Sequence, residues 1–198
     1  EARQKCPDLT LQPAHGYLYV RYSDLVRSIY EEYTDLVEPY GLDECWLDVS
    51  DNLQPPVQIA EEIRRRVREE LGLTVSIGVS YNKVMAKLGS DYKKPDAVTI
   101  IKPQDIGTMV WPLPLSALFY CGPRTARKLA RINIRSIGDL AQCEVGYIQK
   151  VLGKNGLGLW NFANGVDSSE VRLSGEREDI KSVGNSTTLP ADLHNRDE

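Results

Sequence analysis

The chain has 198 residues, 41% of them hydrophobic, with four cysteines and a formal net charge of −4. That is apolar material for one large core or two small ones, and no apolar run approaches the length of a membrane span or a signal peptide. Cys6, Cys45, Cys121 and Cys143 form no C-x-x-C pair, and neither His15 nor His194 lies near two of them, which argues against a zinc site and for reduced thiols in a cytoplasmic protein.

The total charge conceals an asymmetry. Residues 1–101 carry 12 basic and 17 acidic side chains, residues 102–166 carry 8 and 3, and residues 167–198 carry 4 and 8. An acidic region beside a basic one suits a metal site next to a polyanion grip. Imbalances of this size also arise in ordinary surfaces.

In chain order, Pro7 ends a helical scrap. Residues 16–33 place Leu18, Leu25, Val26, Ile29 and Tyr33 mostly at helical spacing. Residues 35–40 and 44–49 read as two strands around Gly41, with Cys45, Leu47 and Val49 alternating. Pro55-Pro56 opens a helix to Leu71, striped by Ile59, Ala60, Ile63 and Val67 and stopped by Gly72. Its Arg64, Arg65, Arg66 and Arg68 read as a solvated face rather than a nucleic-acid grip. A strand over 74–79, a helix over 83–93 and a strand over 97–101 follow. The order predicts helices on one face of a largely antiparallel sheet. From Pro103 the pattern turns to short helices at 104–110, 115–119, 123–131, 136–142, 144–152 and 157–164. Residues 167–180 read as a linker, and 181–189 as the first strand of a further domain. The opening Glu1-Ala2-Arg3, without Met, and the charged tail predict a piece of a longer protein.

Three segments carry chemistry. Asp43 and Glu44 sit side by side just after Gly41. Adjacent carboxylates favour a hard divalent cation such as Mg²⁺, and they can share one only where the strand turns, as at a glycine. The same pair also reads as a solvated hairpin tip. In residues 76–96, Asn82 can cap the helix that follows. Lys83, Lys87, Lys93 and Lys94 then add positive charge to a helix N-terminus able to hold a polyphosphate. An ordinary amphipathic helix with solvated lysines accounts for the same residues. In residues 118–140, Arg124, Arg127, Lys128, Arg131 and Arg135 follow one another with no acidic residue between them. Short helix, glycine turn and helix together read as a helix-hairpin-helix module, which meets DNA phosphates without reading bases.

Together these segments resemble the Y-family DNA polymerases, most closely the bacterial polymerase IV (DinB-like) group, over nearly the whole chain. Gly41-Leu42-Asp43-Glu44-Cys45-Trp46-Leu47-Asp48 is similar to the family's S-I-D-E-A-Y-L-D motif. Residues 78–96 are similar to G-V-S-x-N-K-x-x-A-K-x-A-S-D-x-x-K-P-D, and residues 121–140 to the thumb hairpin.

The resemblance implies an α+β fold: a palm-like antiparallel sheet with helices on one face, then a small all-helical thumb. Residues 1–9 would be the end of the fingers, 10–101 palm, 102–166 thumb, 167–180 linker and 181–198 the start of the little finger. It implies translesion DNA synthesis with two Mg²⁺ ions, on primed template DNA and deoxynucleoside triphosphates, with a sliding clamp as a further partner and no membrane. Asp43 and Glu44 would hold metal, and Lys94 would contact the triphosphate. Gly122, Arg124, Thr125, Arg127 and Lys128 would hold the DNA backbone.

The family's D-x-D-x-F-F aspartate has no counterpart here, so these residues are expected to be inactive by themselves. Gly41 stands for the usual Ser and Tyr120 for a hairpin Gly. Two other readings stay open. Gly41-Leu42-Asp43-Glu44 with Ser76-Ile77-Gly78-Val79 also resembles a diguanylate-type cyclase, which leaves residues 82–96 and 121–140 unexplained. A non-catalytic DNA-binding scaffold is the other.

Overall fold

The computed structural model describes residues 2–176 and 182–187. A short helix α1 (Ala2–Lys5) ends before Pro7. Helix α2 (Gly16–Glu31) packs against α3 (Pro56–Leu71). Ile29, Ile59, Ile63 and Val67 form the buried centre of that contact, edged by Val26, Tyr30 and Tyr33. Pro56 sits in the first turn of α3, where its missing N–H removes no bond, and Gly72 closes the helix at φ +67°. The arginines of α3 are all paired: Arg64 with Glu61 and Asp96, Arg65 with Glu69, Arg66 with Glu32 and Glu70, and Arg68 with Asp96.

Strands β1 (Val37–Tyr40) and β2 (Glu44–Leu47) form an antiparallel hairpin in which Val37 pairs with Leu47 and Tyr40 with Glu44. The three-residue loop turns at Gly41, whose φ is +77°. Strand β3 (Ile77–Val79) pairs in parallel with β4 (Val98–Ile100), and helix α4 (Lys83–Tyr92) connects them.

The mixed helix-and-sheet class is as expected, but two details differ. The second ladder is parallel, because a helical crossover returns the chain to the end of the sheet from which it left. It is also covered on both faces. Ile77 packs into the α2–α3 cluster. Gly78, pointing the other way, meets α4 so closely that a Cβ there would lie 1.8 Å from the Ala86 carbonyl oxygen. Gly89 answers from the helix side; its Cβ would lie 3.0 Å from the Gly78 Cα.

The helices expected over 104–110 and 115–119 are short 3-10 and π turns at Pro103–Asp105, Ile106–Val110 and Leu115–Ala117, and the remaining α-helices are α5 (Pro123–Ala130), α6 (Ile137–Ala141), α7 (Val145–Leu152) and α8 (Lys154–Ala163), the last starting three residues before the expected position. Ser136 caps α6 through a reciprocal box with Asp139, and Glu144 caps α7. Packing does not break at the change in composition near Pro103. Val84, Met85, Leu88 and Ile101 share one buried cluster with Leu129, Ile137, Leu140, Ile148 and Leu159. Tyr40 and Trp46 of the hairpin also meet Phe119 edge-on, with ring centroids 5.5 and 5.7 Å away. Residues 182–187 carry no regular structure, and the rest of the strand expected over 181–189 lies outside the described residues. Among the described residues, no helix is long and apolar enough to cross a membrane.

Candidate active site and candidate nucleic-acid interface

The β1–β2 hairpin carries Asp43 at its tip, exposed, and Glu44 at the start of β2, partly buried. Both line a cleft of about 760 Å³ whose other walls include Lys83, Lys87, Lys94 and Asp167. The fold thus brings Asp43, Glu44 and Lys94, about fifty residues apart in sequence, to one cavity.

Along its wall Glu44, Lys87 and Lys94 are linked in an alternating row through Asp91 just outside it. Glu44 pairs with the Lys87 ammonium at 3.1 Å, Lys87 also touches Asp91, and Asp91 takes Lys94 at 2.6 Å. Burial pulls the Lys87 amine downwards, but hydrogen bonds to Asp91 and Glu44 outweigh it and hold the amine above its ordinary value. Burial likewise opposes ionisation of Asp91, yet Lys87 and Lys94 keep its carboxyl below the ordinary range. Among the described residues, no group of three or more His, Cys, Asp or Glu side chains is placed to share a metal ion.

The N-terminus of α4 is capped as expected: the Asn82 side chain accepts from the Met85 N–H at 2.9 Å. The free N–H groups there do attract an anion, but it is the chain's own Asp167, whose carboxylate accepts from the Val84 N–H at 3.3 Å. Asp167 thus takes one of the N–H groups at the spot where a polyphosphate is expected. Lys83 is committed too. Its ammonium meets Glu38 at 2.6 Å, donates to the Glu170 carbonyl at 2.8 Å, and lies 5.0 Å from the centroid of the Trp46 ring. Glu38, only 7% exposed, also accepts from the Arg172 backbone N–H at 3.0 Å. Burial pushes its carboxyl upwards, and the bonds from Lys83 and Arg172 more than reverse that, leaving it below the ordinary value. Of the four lysines singled out in this segment, Lys93 alone makes no ion pair among the described residues.

Sequence reasoning missed Glu38, Asp91, Asp167 and the course of residues 165–174. That stretch leaves α8 and runs back over the hairpin and α4. Asn82 bonds to the Gly165 carbonyl, and the Ser174 N–H to the Asp35 carbonyl. Its polar sequence, without periodicity, gives no sign of this; the Asx turn at Asp167-Ser168-Ser169 is its one local cue.

In the helical region the hairpin runs through Tyr120, which takes the left-handed conformation at φ +63°, while Gly122 caps α5 in extended geometry at φ −67°. The position that demands φ > 0 is thus the one where this chain carries Tyr. Its ring is held by Phe119 at 4.1 Å and stacks towards Phe162 at 6.2 Å, which compensates the strained backbone. Arg124, Arg127, Lys128, Arg131 and Arg135 are exposed, and Thr125 is half-buried. None of these five cations pairs with a carboxylate among the described residues. Arg127 and Lys128 bond to the backbone carbonyls of Pro123 and Val151, at 3.2 and 2.5 Å.

Comparison with known proteins places this geometry. Residues 1–91 match the impB/mucB/samB family. The chain is 51% identical to DNA polymerase IV of Acetivibrio thermocellus over 201 residues, covering 100% of this chain and 50% of that protein. It is 40% identical to DNA polymerase IV of Bacteroides fragilis, covering 99% of this chain and 54% of that one. The crystal structure of DinB from Sulfolobus solfataricus superposes with a TM-score of 0.78 at 25% identity, over 87% of this chain and 52% of that one. The chain spans about half the length of the curated relatives it matches. With its paired carboxylates and lysines on one cleft and the same fold over most of its length, the chain belongs to the Y-family of DNA polymerases.

Proposed function

We propose that this chain forms the metal-binding and DNA-gripping portion of a translesion DNA polymerase, which copies primed template DNA past damaged bases from deoxynucleoside triphosphates. The observation that carries the reading is the convergence of Asp43, Glu44 and Lys94 on one cleft in a Y-family chain. Residues 10–101 act as palm and 102–166 as thumb, with 1–9 the end of the fingers, 167–180 a linker and 181–198 the start of the little finger. DNA and its precursors put the reaction in the cytoplasm.

The donor set suits hard divalent cations. Asp43 offers exposed carboxylate oxygens, and Glu44 is engaged on one side by Lys87. Mg²⁺ retains water and takes phosphate oxygens beside one or two carboxylates, so Asp43 and Glu44 are the residues that would hold it. Two such ions, when bound, activate the primer 3′-hydroxyl and stabilise the leaving pyrophosphate. The chain's own part is positioning and charge. Lys94, at the cleft wall, neutralises a phosphate of the incoming nucleotide. Arg124, Arg127 and Lys128 hold the primer–template backbone with Gly122 and Thr125 at the helix start, and read no bases.

Mg²⁺-dependent primer extension across a damaged template by the protein that carries this chain tests the reading. Asp43→Ala is expected to lower incorporation by roughly 10²- to 10³-fold while DNA binding persists. Unchanged incorporation would favour a non-catalytic scaffold.

A further inference from the structure

The row Glu44–Lys87–Asp91–Lys94 spans the cleft from the carboxylate assigned to metal to the ammonium assigned to triphosphate. Lys87 and Asp91 are one helical turn apart on α4. The Lys87 side chain is 16% exposed, the most buried member of the row, against 36% for Glu44, 46% for Asp91 and 57% for Lys94. Lys87, on the same cleft wall, engages one Glu44 carboxylate oxygen and leaves the other without an ion pair among the described residues. Its ammonium has two acceptors, Glu44 at 3.1 Å and the closer Asp91.

We propose that Lys87 is a positioning residue that serves as the built-in counter-cation of Glu44, shared between Glu44 and Asp91 when no metal is bound and left to Asp91 alone when a divalent cation takes the Glu44 carboxylate. This rests on the metal-binding reading above. A dication and an ammonium compete for the same carboxylate and repel each other across it. Lys87 thereby sets the metal affinity of the site, and Asp91 sets how readily Lys87 lets go. The same exchange reaches Lys94. An Asp91 fully engaged by Lys87 binds Lys94 less, so metal at Glu44 frees Lys94 for phosphate, and by linkage phosphate on Lys94 favours metal.

The experiment is a Mn²⁺ titration of the 198-residue chain, without DNA or nucleotide, read by electron paramagnetic resonance, with circular dichroism confirming that each variant is folded. Lys87→Met keeps the apolar stem and removes the charge; it is expected to tighten Mn²⁺ binding roughly three- to tenfold. Asp91→Asn leaves Lys87 to Glu44 alone and is expected to weaken binding roughly two- to fivefold. Lys87→Arg should stay close to the parent. A purely structural role for the row predicts that both neutralising changes weaken binding. A general field effect predicts that Lys94→Met acts as strongly as Lys87→Met, whereas the contact requires a clearly smaller effect. In a Glu44→Gln background the Lys87→Met gain should largely vanish. A folded Lys87→Met chain with unchanged or weaker Mn²⁺ binding overturns this inference and leaves the metal reading standing. A parent chain that binds Mn²⁺ no better than the Asp43→Ala, Glu44→Gln double variant overturns both.

Discussion

Along α4 and just beyond it, Lys83, Lys87 and Lys94 each meet a carboxylate, whereas along α5 Arg124, Arg127 and Lys128 meet none among the described residues. The charges have the same sign and differ in what a ligand must displace. In the cleft, a ligand has to replace a pairing already made in partly desolvated surroundings, so only multiply charged species compete well. A dication and a triphosphate both qualify. On α5 an incoming polyanion has no carboxylate to displace among the described residues, only water, counterions and the neutral carbonyls that Arg127 and Lys128 touch. Binding there is weakly selective and strongly salt-dependent. The proposed function puts the chemistry where charges are exchanged, and the grip where cations meet no carboxylate.

The largest test of this contrast is geometric. Gly78→Val forces side-chain carbon into the Ala86 backbone, and is expected to destabilise the fold by about 4 kcal/mol, measured by denaturant unfolding. The cleft wall goes with it. A wild-type midpoint would mean that α4 is not seated on β3 as described.

Next is the paired interior. Glu38→Gln leaves the Lys83 ammonium without its counter-charge, and is expected to lower stability by about 3 kcal/mol. The change also has a pH signature. Because the Glu38 carboxyl is held below its ordinary value, its contribution is present above the ordinary carboxylate range and is lost as pH falls through the folded-state value. Glu38→Gln should therefore flatten part of the acid limb of a stability–pH curve. An unchanged limb would show that the pair does not contribute.

On the unpaired side, Arg124→Ala and Arg127→Ala should each leave stability within about 0.5 kcal/mol and reduce the salt slope of duplex DNA binding by about one. Loss of stability without a change in slope would make those arginines structural. The smallest effect is local. Ser136→Ala removes the α6 cap and should cost about 1 kcal/mol in the same unfolding measurement, without altering Mn²⁺ binding in the cleft.

Much of this was readable along the chain because the signals are local. Pro55-Pro56 and Gly72 bound α3, Asn82 caps α4, and Ser136 with Asp139 opens α6; each depends on residues a turn apart. The hairpin tip at Gly41 was legible for the same reason, and so were Asp43 and Glu44. Lys94 was legible as one of four lysines able to meet a polyphosphate, and only the resemblance to a family motif singled it out among them.

The amino-acid sequence by itself determined most of the helices and their caps, the acidic turn and the run of basic side chains on α5, all of which follow from spacing and propensity within a few residues. Tertiary structure alone decided that β3 and β4 run in parallel between two helices, that Asp167 meets the α4 N-terminus, and that Lys83 finds Glu38 and Lys87 finds Glu44. Those outcomes join residues up to 83 positions apart. Which carboxylate meets which ammonium is settled by the packing that carries them there, and no pattern short enough to read along the chain encodes it.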